Sequence, residues 1–211
     1  MRPFVHVNCA MSADGKIAGV DRKQVRISSQ EDKERVKSLR MKYESILVGV
    51  GTVLSDDPHL TVKGLDYDTN PIRIVIDPNG KTPDEALVLN ESAPTVIVTT
   101  IGNERDWDCE EIVSIGKEID LKKVLEHLYD EIGIESILVE GGGETISHFF
   151  KEGLVDTYTV YVGDFIIGGR SAPTPVDGDG WVHPDGLRMR LESIERMGEG
   201  ALLTYICNND S

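Results

Sequence analysis

Ser136-Ile137-Leu138-Val139-Glu140-Gly141-Gly142-Gly143-Glu144-Thr145-Ile146-Ser147-His148-Phe149-Phe150 is the stretch whose reading decides the fold of this chain. Ile137, Leu138 and Val139 form an apolar run without alternation, the mark of a strand covered on both faces, as in the middle of a parallel sheet. Three glycines follow, which permit positive φ and the close approach of a second backbone. Behind Glu144 and Thr145, the apolar residues Ile146, Phe149 and Phe150 recur at helical spacing. The stretch therefore predicts a strand, a glycine turn and a helix. The first N–H groups of such a helix lack internal acceptors, so hydrogen bonding and the helix dipole both favour a phosphate there. Glu140, at the carboxyl end of the strand, faces the same crevice. The triplet is not the spaced fingerprint G-x-G-x-x-G, and from these residues alone a tight turn without a ligand reads equally well.

On the amino-terminal side, Phe4 to Ala10 is rich in β-formers and bounded by Pro3 and by Ser12-Ala13-Asp14-Gly15, which predicts a first, central strand. Ser28 or Ser29 caps a helix that opens on Glu31 and Asp32, continues with basic residues to Lys42, and takes Val36, Leu39 and Tyr43 as its apolar stripe. Ser45 to Val50 is a second buried strand, and Thr52 to Ser55 is one helical turn ended by Pro58. Strands follow at Ile72 to Ile76, Thr95 to Thr99 and Ile112 to Ile115, the first of them running into the turn Asp77-Pro78-Asn79-Gly80. Leu121, Val124, Leu125 and Leu128 give a helix over Asp120 to Glu131, with Asp120 as cap and Gly133 as stop.

On the carboxyl-terminal side, Val155 to Val162 reads as a strand with one polar side. Gly163 to Gly186 is a long functional or capping loop, and Arg188 to Arg196 with Ala201 to Cys207 forms a closing antiparallel hairpin. The expectation is one α/β domain over residues 1–211, its sheet mostly parallel with an antiparallel edge. In open sheets of this kind ligands bind outside the carboxyl ends of the strands, where Thr52, Asp56, Asp77 to Asn79 and Gly141 to Glu144 all fall.

Composition narrows the function. The 211 residues hold 39% apolar side chains, enough for a sizeable core. A formal charge of −15, from 37 acidic against 22 basic residues, argues against a nucleic-acid surface, so any bound phosphate must meet a local pocket. Cys9, Cys109 and Cys207 form no CxxC pair and fit neither a disulfide framework nor a zinc site, consistent with a reducing cytoplasm. The histidines at 6, 59, 127, 148 and 183 show no metal-ligand spacing, and no apolar run is long enough to span a bilayer. The expected protein is cytoplasmic, without metal, nucleic-acid or membrane partners.

Three stretches carry a resemblance: Met11-Ser12-Ala13-Asp14-Gly15-Lys16-Ile17-Ala18, then Gly51 to Val62 with its Thr52-Val53-Leu54-Ser55-Asp56-Asp57-Pro58 core, then Val139-Glu140-Gly141-Gly142-Gly143. The chain resembles the riboflavin-biosynthesis reductases that convert 2,5-diamino-6-(ribosylamino)pyrimidinone 5′-phosphate to its ribitylamino form. Such proteins have a dihydrofolate-reductase-like fold. No H-x-E with P-C-x-x-C occurs, so the likeness is to the stand-alone reductases of archaeal and fungal type.

The resemblance implies NADPH, or alternatively NADH, as cofactor, held by Thr52, Asp56, Pro78, Asn79, Gly141, Gly142, Gly143 and Glu144. It implies a phosphorylated pyrimidine held by Ser29, Leu60, Lys63 and Glu140, and a homodimer. Some relatives carry Arg where Lys63 stands, and a lysine holds phosphate as a point charge, not as a planar fork. Hydride transfer to C1′ of the ring-opened imine needs alignment and no nucleophile of the protein's own, with His59 or a water as proton donor. Each residue also has a plainer reading. Asp56 suits a turn beside Pro58, Thr52 caps a short helix, Asp14 shapes an Asp-Gly turn and Lys16 is a solvated charge. A carboxylate at the end of a buried strand, as at Glu140, demands partners. The rival functions are a dihydrofolate or other pterin reductase on the same fold and a catalytically silent nucleotide-binding protein.

Overall fold

The computed structural model describes residues 1–182 and 186–207. In chain order the elements are β1 (Phe4–Met11), α1 (Gln30–Lys42), β2 (Ser45–Gly49), α2 (Val50–Asp56), β3 (Ile72–Ile76), β4 (Thr95–Thr99) and β5 (Glu111–Ser114). They continue with α3 (Leu121–Asp130), β6 (Ser136–Gly141), α4 (Gly143–Lys151), β7 (Thr157–Val162), β8 (Arg190–Met197) and β9 (Gly200–Ile206). The strands lie in one sheet in the order β5-β4-β3-β2-β6-β1-β7-β9-β8. This is the mixed, mostly parallel α/β architecture with a closing antiparallel hairpin that the sequence predicts. By contacts the chain divides into two compact units, Met1–Phe4 with Lys37–Val139, and Val5–Val36 with the chain from Glu140 onward.

In the first unit β2, β3, β4 and β5 pair in parallel, with Ser45 opposite Ile72, Arg73 opposite Thr95 and Val96 opposite Glu111. Every residue of β2 and β4 is buried, as continuous apolar runs require when both faces are covered. Helix α3 buries Leu121, Val124, Leu125 and Leu128, each adding roughly 1.5–3 kcal/mol of apolar burial. The Asp120 side chain accepts from the Lys123 N–H to cap its start, and Gly133 at φ +82° follows its end. The boundary after β2 departs from expectation, the strand ending at Gly49 and not at Val50. Helix α2 begins at Val50, not Thr52, with Gly49 as its N-cap, so Thr52 sits inside the helix and caps nothing.

In the second unit β1 and β7 pair in parallel from His6 opposite Thr157 to Met11 opposite Val162, β9 runs antiparallel to β7, and β8 closes antiparallel to β9. Helix α4 buries Ile146, Phe149 and Phe150, and Phe150 meets Tyr158 edge to face at 5.3 Å. The polar side of strand β7 is buried against β1. Tyr158, Thr159, Val160 and Tyr161 are all buried, because the Thr159 hydroxyl donates to Asn8 Oδ1 at 2.9 Å and lies 2.8 Å from His6 Nε2. Helix α1 turns its predicted stripe inward, with Tyr43 buried, but its most buried side chain is polar. Val36 and Leu39 are half-buried, Tyr43 lies past the helix end, and the fully buried side chain is Asp32. Its carboxylate takes Arg35 Nη2 at 2.7 Å, and the same guanidinium reaches Asn8 Oδ1 at 2.8 Å. The loop expected from Gly163 to Gly186 holds no strand or helix among its described residues, and residues 183–185, with His183, lie outside them.

Arg73, on β3, is 1% exposed and has no carboxylate beside it among its described partners. Its guanidinium donates instead to Leu87 O at 3.1 Å, Asn90 Oδ1 at 2.9 Å, Asn90 O at 2.6 Å and Ala93 O. Replacing it strands buried acceptors, each worth about 1–3 kcal/mol when left unmet. Arg73→Met should lower stability by at least about 3 kcal/mol, read as a fall in the urea midpoint at constant slope.

Candidate functional site

In the first unit the carboxyl ends of the neighbouring parallel strands β2 and β3 carry one group of expected residues. Gly49 is opposite Ile76, so the start of α2 and the turn after β3 leave the sheet side by side. Thr52 is half-buried and Asp56, the last residue of α2, is exposed. Asp57 closes the helix at φ +42°, returns its N–H to Val53 O at 3.0 Å, and accepts the Leu87 N–H on Oδ1 at 2.8 Å. Three residues later Leu60 is 2% exposed and stands at φ +49°. A bulky residue in the left-handed region stores about 1–3 kcal/mol of strain, which the surrounding bonds must hold. They are Arg40 Nη1 to Thr61 O at 3.1 Å and Val62 N to Asn70 Oδ1 at 2.8 Å. Lys63 follows, exposed. His59 is also exposed, with Nδ1 lying 3.3 Å from Asn90 Nδ2.

The turn after β3 is built on Asp77, fully buried, whose Oδ2 accepts both the Thr82 N–H and the Thr82 hydroxyl at 2.7 Å. Pro78 O accepts Thr100 Oγ1 at 2.7 Å and Asn103 Nδ2 at 3.1 Å, leaving Asn79 exposed at the tip.

In the second unit the glycine triplet corrects the sequence reading. Gly141 is the last strand residue, Gly142 is the N-cap at φ −39° and ψ 163°, and Gly143 opens α4. Gly142 thus has negative φ. What Gly143 provides is close approach: a Cβ there would lie 2.5 Å from Thr174 O and 3.0 Å from Asp177 Oδ2, and Gly143 O accepts the Asp177 N–H at 3.1 Å. No side chain caps α4, Glu144 is exposed on its first turn, and Glu140 is half-buried. Ser29 heads α1, where its hydroxyl oxygen accepts the Asp32 N–H at 3.1 Å.

Asp14 does more than shape its turn. Its carboxylate accepts from Ser12 Oγ at 2.6 Å, from the Ile167 N–H at 3.0 Å and from the Gly168 N–H at 2.8 Å, tying the loop after β1 to the loop after β7. Lys16 is likewise engaged, its Nζ donating to Ala172 O at 3.1 Å. Sequence reasoning treated Asp32 as a dipole residue only and passed over Arg35, Asn8 and Asp177. The i,i+3 spacing of Asp32 and Arg35 was the one signal available. Among the described residues no three His, Cys, Asp or Glu side chains are grouped to hold a metal ion, and no helix is long and apolar enough to cross a membrane.

Comparison with known proteins supplies the context of these loops. The family model for the RibD C-terminal domain matches residues 3–203. The chain is 40% identical to the 2,5-diamino-6-ribosylamino-4(3H)-pyrimidinone 5′-phosphate reductase of Archaeoglobus fulgidus, over 97% of this chain and 98% of that one. It is 39% identical to the Methanothermobacter thermautotrophicus protein of the same name, with the same coverage. A crystal structure from Thermotoga maritima, a diaminohydroxyphosphoribosylaminopyrimidine deaminase/5-amino-6-(5-phosphoribosylamino)uracil reductase, superposes with a TM-score of 0.83 at 26% identity, over 98% of this chain and 57% of that one.

The Asp14 bonds, that from Ser12 foremost, hold its carboxyl down at about 2. A depressed carboxyl contributes its tether above the unfolded value of about 3.9 and loses it as pH falls through the folded one. Hydrogen exchange at the Ile167 and Gly168 amides should therefore be protected down to about pH 4, then progressively lose protection toward pH 2. Asp14→Ala should remove that protection at every pH.

Proposed function

The chain belongs to the RibD C-terminal domain family, and on that basis we propose that it is an NADPH-dependent reductase. It reduces the ribosylamino side chain of 2,5-diamino-6-(ribosylamino)-4(3H)-pyrimidinone 5′-phosphate to the ribitylamino form, working as one reductase domain over 1–211 in a cytoplasmic homodimer. The observation that carries this reading is the end-to-end likeness, at 39–40% identity, to two reductases of that name.

The residues present fit a nicotinamide dinucleotide. Helix α4 is nine residues long with no side-chain cap, so its first-turn N–H groups are not taken by an N-cap side chain and suit a diphosphate. When bound, the nicotinamide supplies the hydride. In this proposal Gly141 to Gly143 bring the backbone close to the diphosphate, while Thr52, Asp56, Pro78, Asn79 and Glu144 hold the remainder of the cofactor. Lys63 meets the substrate's 5′-phosphate, Ser29 donates its hydroxyl proton, and Glu140 accepts from the pyrimidine amino groups. Leu60, whose side chain is packed into the core, meets the ring through its strained backbone. His59 is held through Nδ1, which leaves Nε2 to deliver a proton to the imine nitrogen. Catalysis is then alignment of two bound partners, a source of rate that rigid loops supply.

The purified protein mixed with NADPH and the ribosylamino pyrimidine phosphate should oxidise the cofactor. Oxidation with dihydrofolate instead would make it a pterin reductase, and NADPH binding without oxidation would make it a silent binder. Gly142→Val places a branched side chain where the diphosphate approaches, and should weaken NADPH binding by about 100-fold with an unchanged melting temperature. Glu140→Gln removes one charged acceptor and should raise the KM for the pyrimidine about tenfold, leaving that for NADPH as it was.

A further inference from the structure

We infer that Gly198, in the β8–β9 turn, is a positioning residue for the substrate. It acts by setting the place of Ser29, and the inference rests on the proposed role of Ser29 as a substrate contact.

Gly198 stands at φ +60°, and a Cβ built on it would lie 3.0 Å from Ser29 Cβ, 3.1 Å from Ser29 Oγ and 2.8 Å from Glu31 Oε2. The Glu31 carboxylate is the far end of a flexible side chain and swings aside at little cost. Ser29 has less freedom. Its Oγ accepts the Asp32 N–H at 3.1 Å and its carbonyl accepts the Lys33 N–H at 3.1 Å, so it is fixed to the first turn of α1. That turn is itself keyed to β1, because buried Asp32 binds Arg35 and Arg35 binds Asn8. The hydrogen of Gly198 is thus what lets the hairpin turn close against Ser29 without moving it.

Among the described residues both bonds of Ser29 use its oxygens as acceptors, so its hydroxyl proton is the donor it offers a ligand. The serine is backed by α1 on one side and by the turn on the other, which narrows the directions that proton can take. A β-carbon at position 198 would drive Ser29 away by a few tenths of an ångström. A misplacement of about 1 Å costs on the order of 100-fold in a well-aligned site, so a shift of this size predicts about threefold to tenfold.

The test is steady-state kinetics of Gly198→Ala, with NADPH and the pyrimidine phosphate varied in turn, alone and combined with Ser29→Ala. The expected result is a threefold to tenfold rise in the KM for the pyrimidine, with that for NADPH unchanged. In the Ser29→Ala background, where no hydroxyl is left to misplace, the effect of Gly198→Ala should fall below about twofold. Gly198→Asn carries the same contact in a residue that accepts the left-handed region more readily, and supplies the measurement if the alanine variant melts early. A silent Gly198→Ala beside a damaging Ser29→Ala would overturn this inference while leaving the role of Ser29 intact. Ser29→Ala with wild-type kinetics would overturn the role of Ser29 and the inference with it. An undiminished effect in the double variant, or equal rises for both ligands, would show that the turn acts by another route.

Discussion

A charge taken out of water has to be met by protein groups, and this requirement ties the loops of the chain to its sheet. Arg73 is met by carbonyls and an amide from 87–93, which fastens that connection to the base of β3. Asp77, four residues further along, is met by Thr82 and fixes the turn on which Pro78 and Asn79 stand. Asp32 is met by Arg35, which in turn is met by Asn8 of β1, and so the head of α1 is seated on the sheet. An unmet partner in such a set costs several kcal/mol, which is comparable with the whole margin of stability. These bonds fasten each loop to the sheet, although Asp32 Oδ2, Arg73 Nε and Asp77 Oδ1 are buried without a hydrogen-bond partner among the described residues.

What the sequence made legible follows from how local the causes were. Strands β3 and β4 lie within the predicted limits, and α3 has its predicted cap and stop, because apolar runs and caps act over a few residues. The helix after β2 was foreshortened because Val50 and Gly51 are poor helix formers. Their place is set by Val53 and Leu60 packing with Ile46, Val48 and Val75. The polar side assigned to β7 is present, and what the sequence left out is the partner that covers it. The hydroxyl of Thr159 is satisfied by His6 and Asn8, some 150 positions away, which no local pattern reveals. The glycine triplet was placed correctly between strand and helix, but its use is close approach at Gly143 to a loop that pattern alone could not locate.

The site residues divide along the same line. Leu60 and Ser29 came from likeness to a family, and the structure adds a physical reason to take each seriously. Leu60 occupies a strained conformation that few apolar residues adopt, and Ser29 is a capping serine whose hydroxyl accepts the Asp32 N–H. For Asp56, Lys63 and Asn79 the added information is exposure alone, which suits a ligand contact and a solvated side chain equally.

The acidity of the chain bears on how its ligands arrive. Both proposed ligands carry phosphates, and a protein of formal charge −15 repels them at a distance. At physiological ionic strength that repulsion is screened beyond about 8 Å, so it acts on the encounter and hardly at all on the bound state. Within that radius the sign is local. The uncapped amino end of α4 presents a positive end, with Glu144 and Asp177 lying beside it. Binding then depends on short-range hydrogen bonds outweighing neighbouring carboxylates, and such bonds demand donors already in place. In the proposed reading, the donors at the start of α4 must therefore outcompete the carboxylates of Glu144 and Asp177 for the diphosphate.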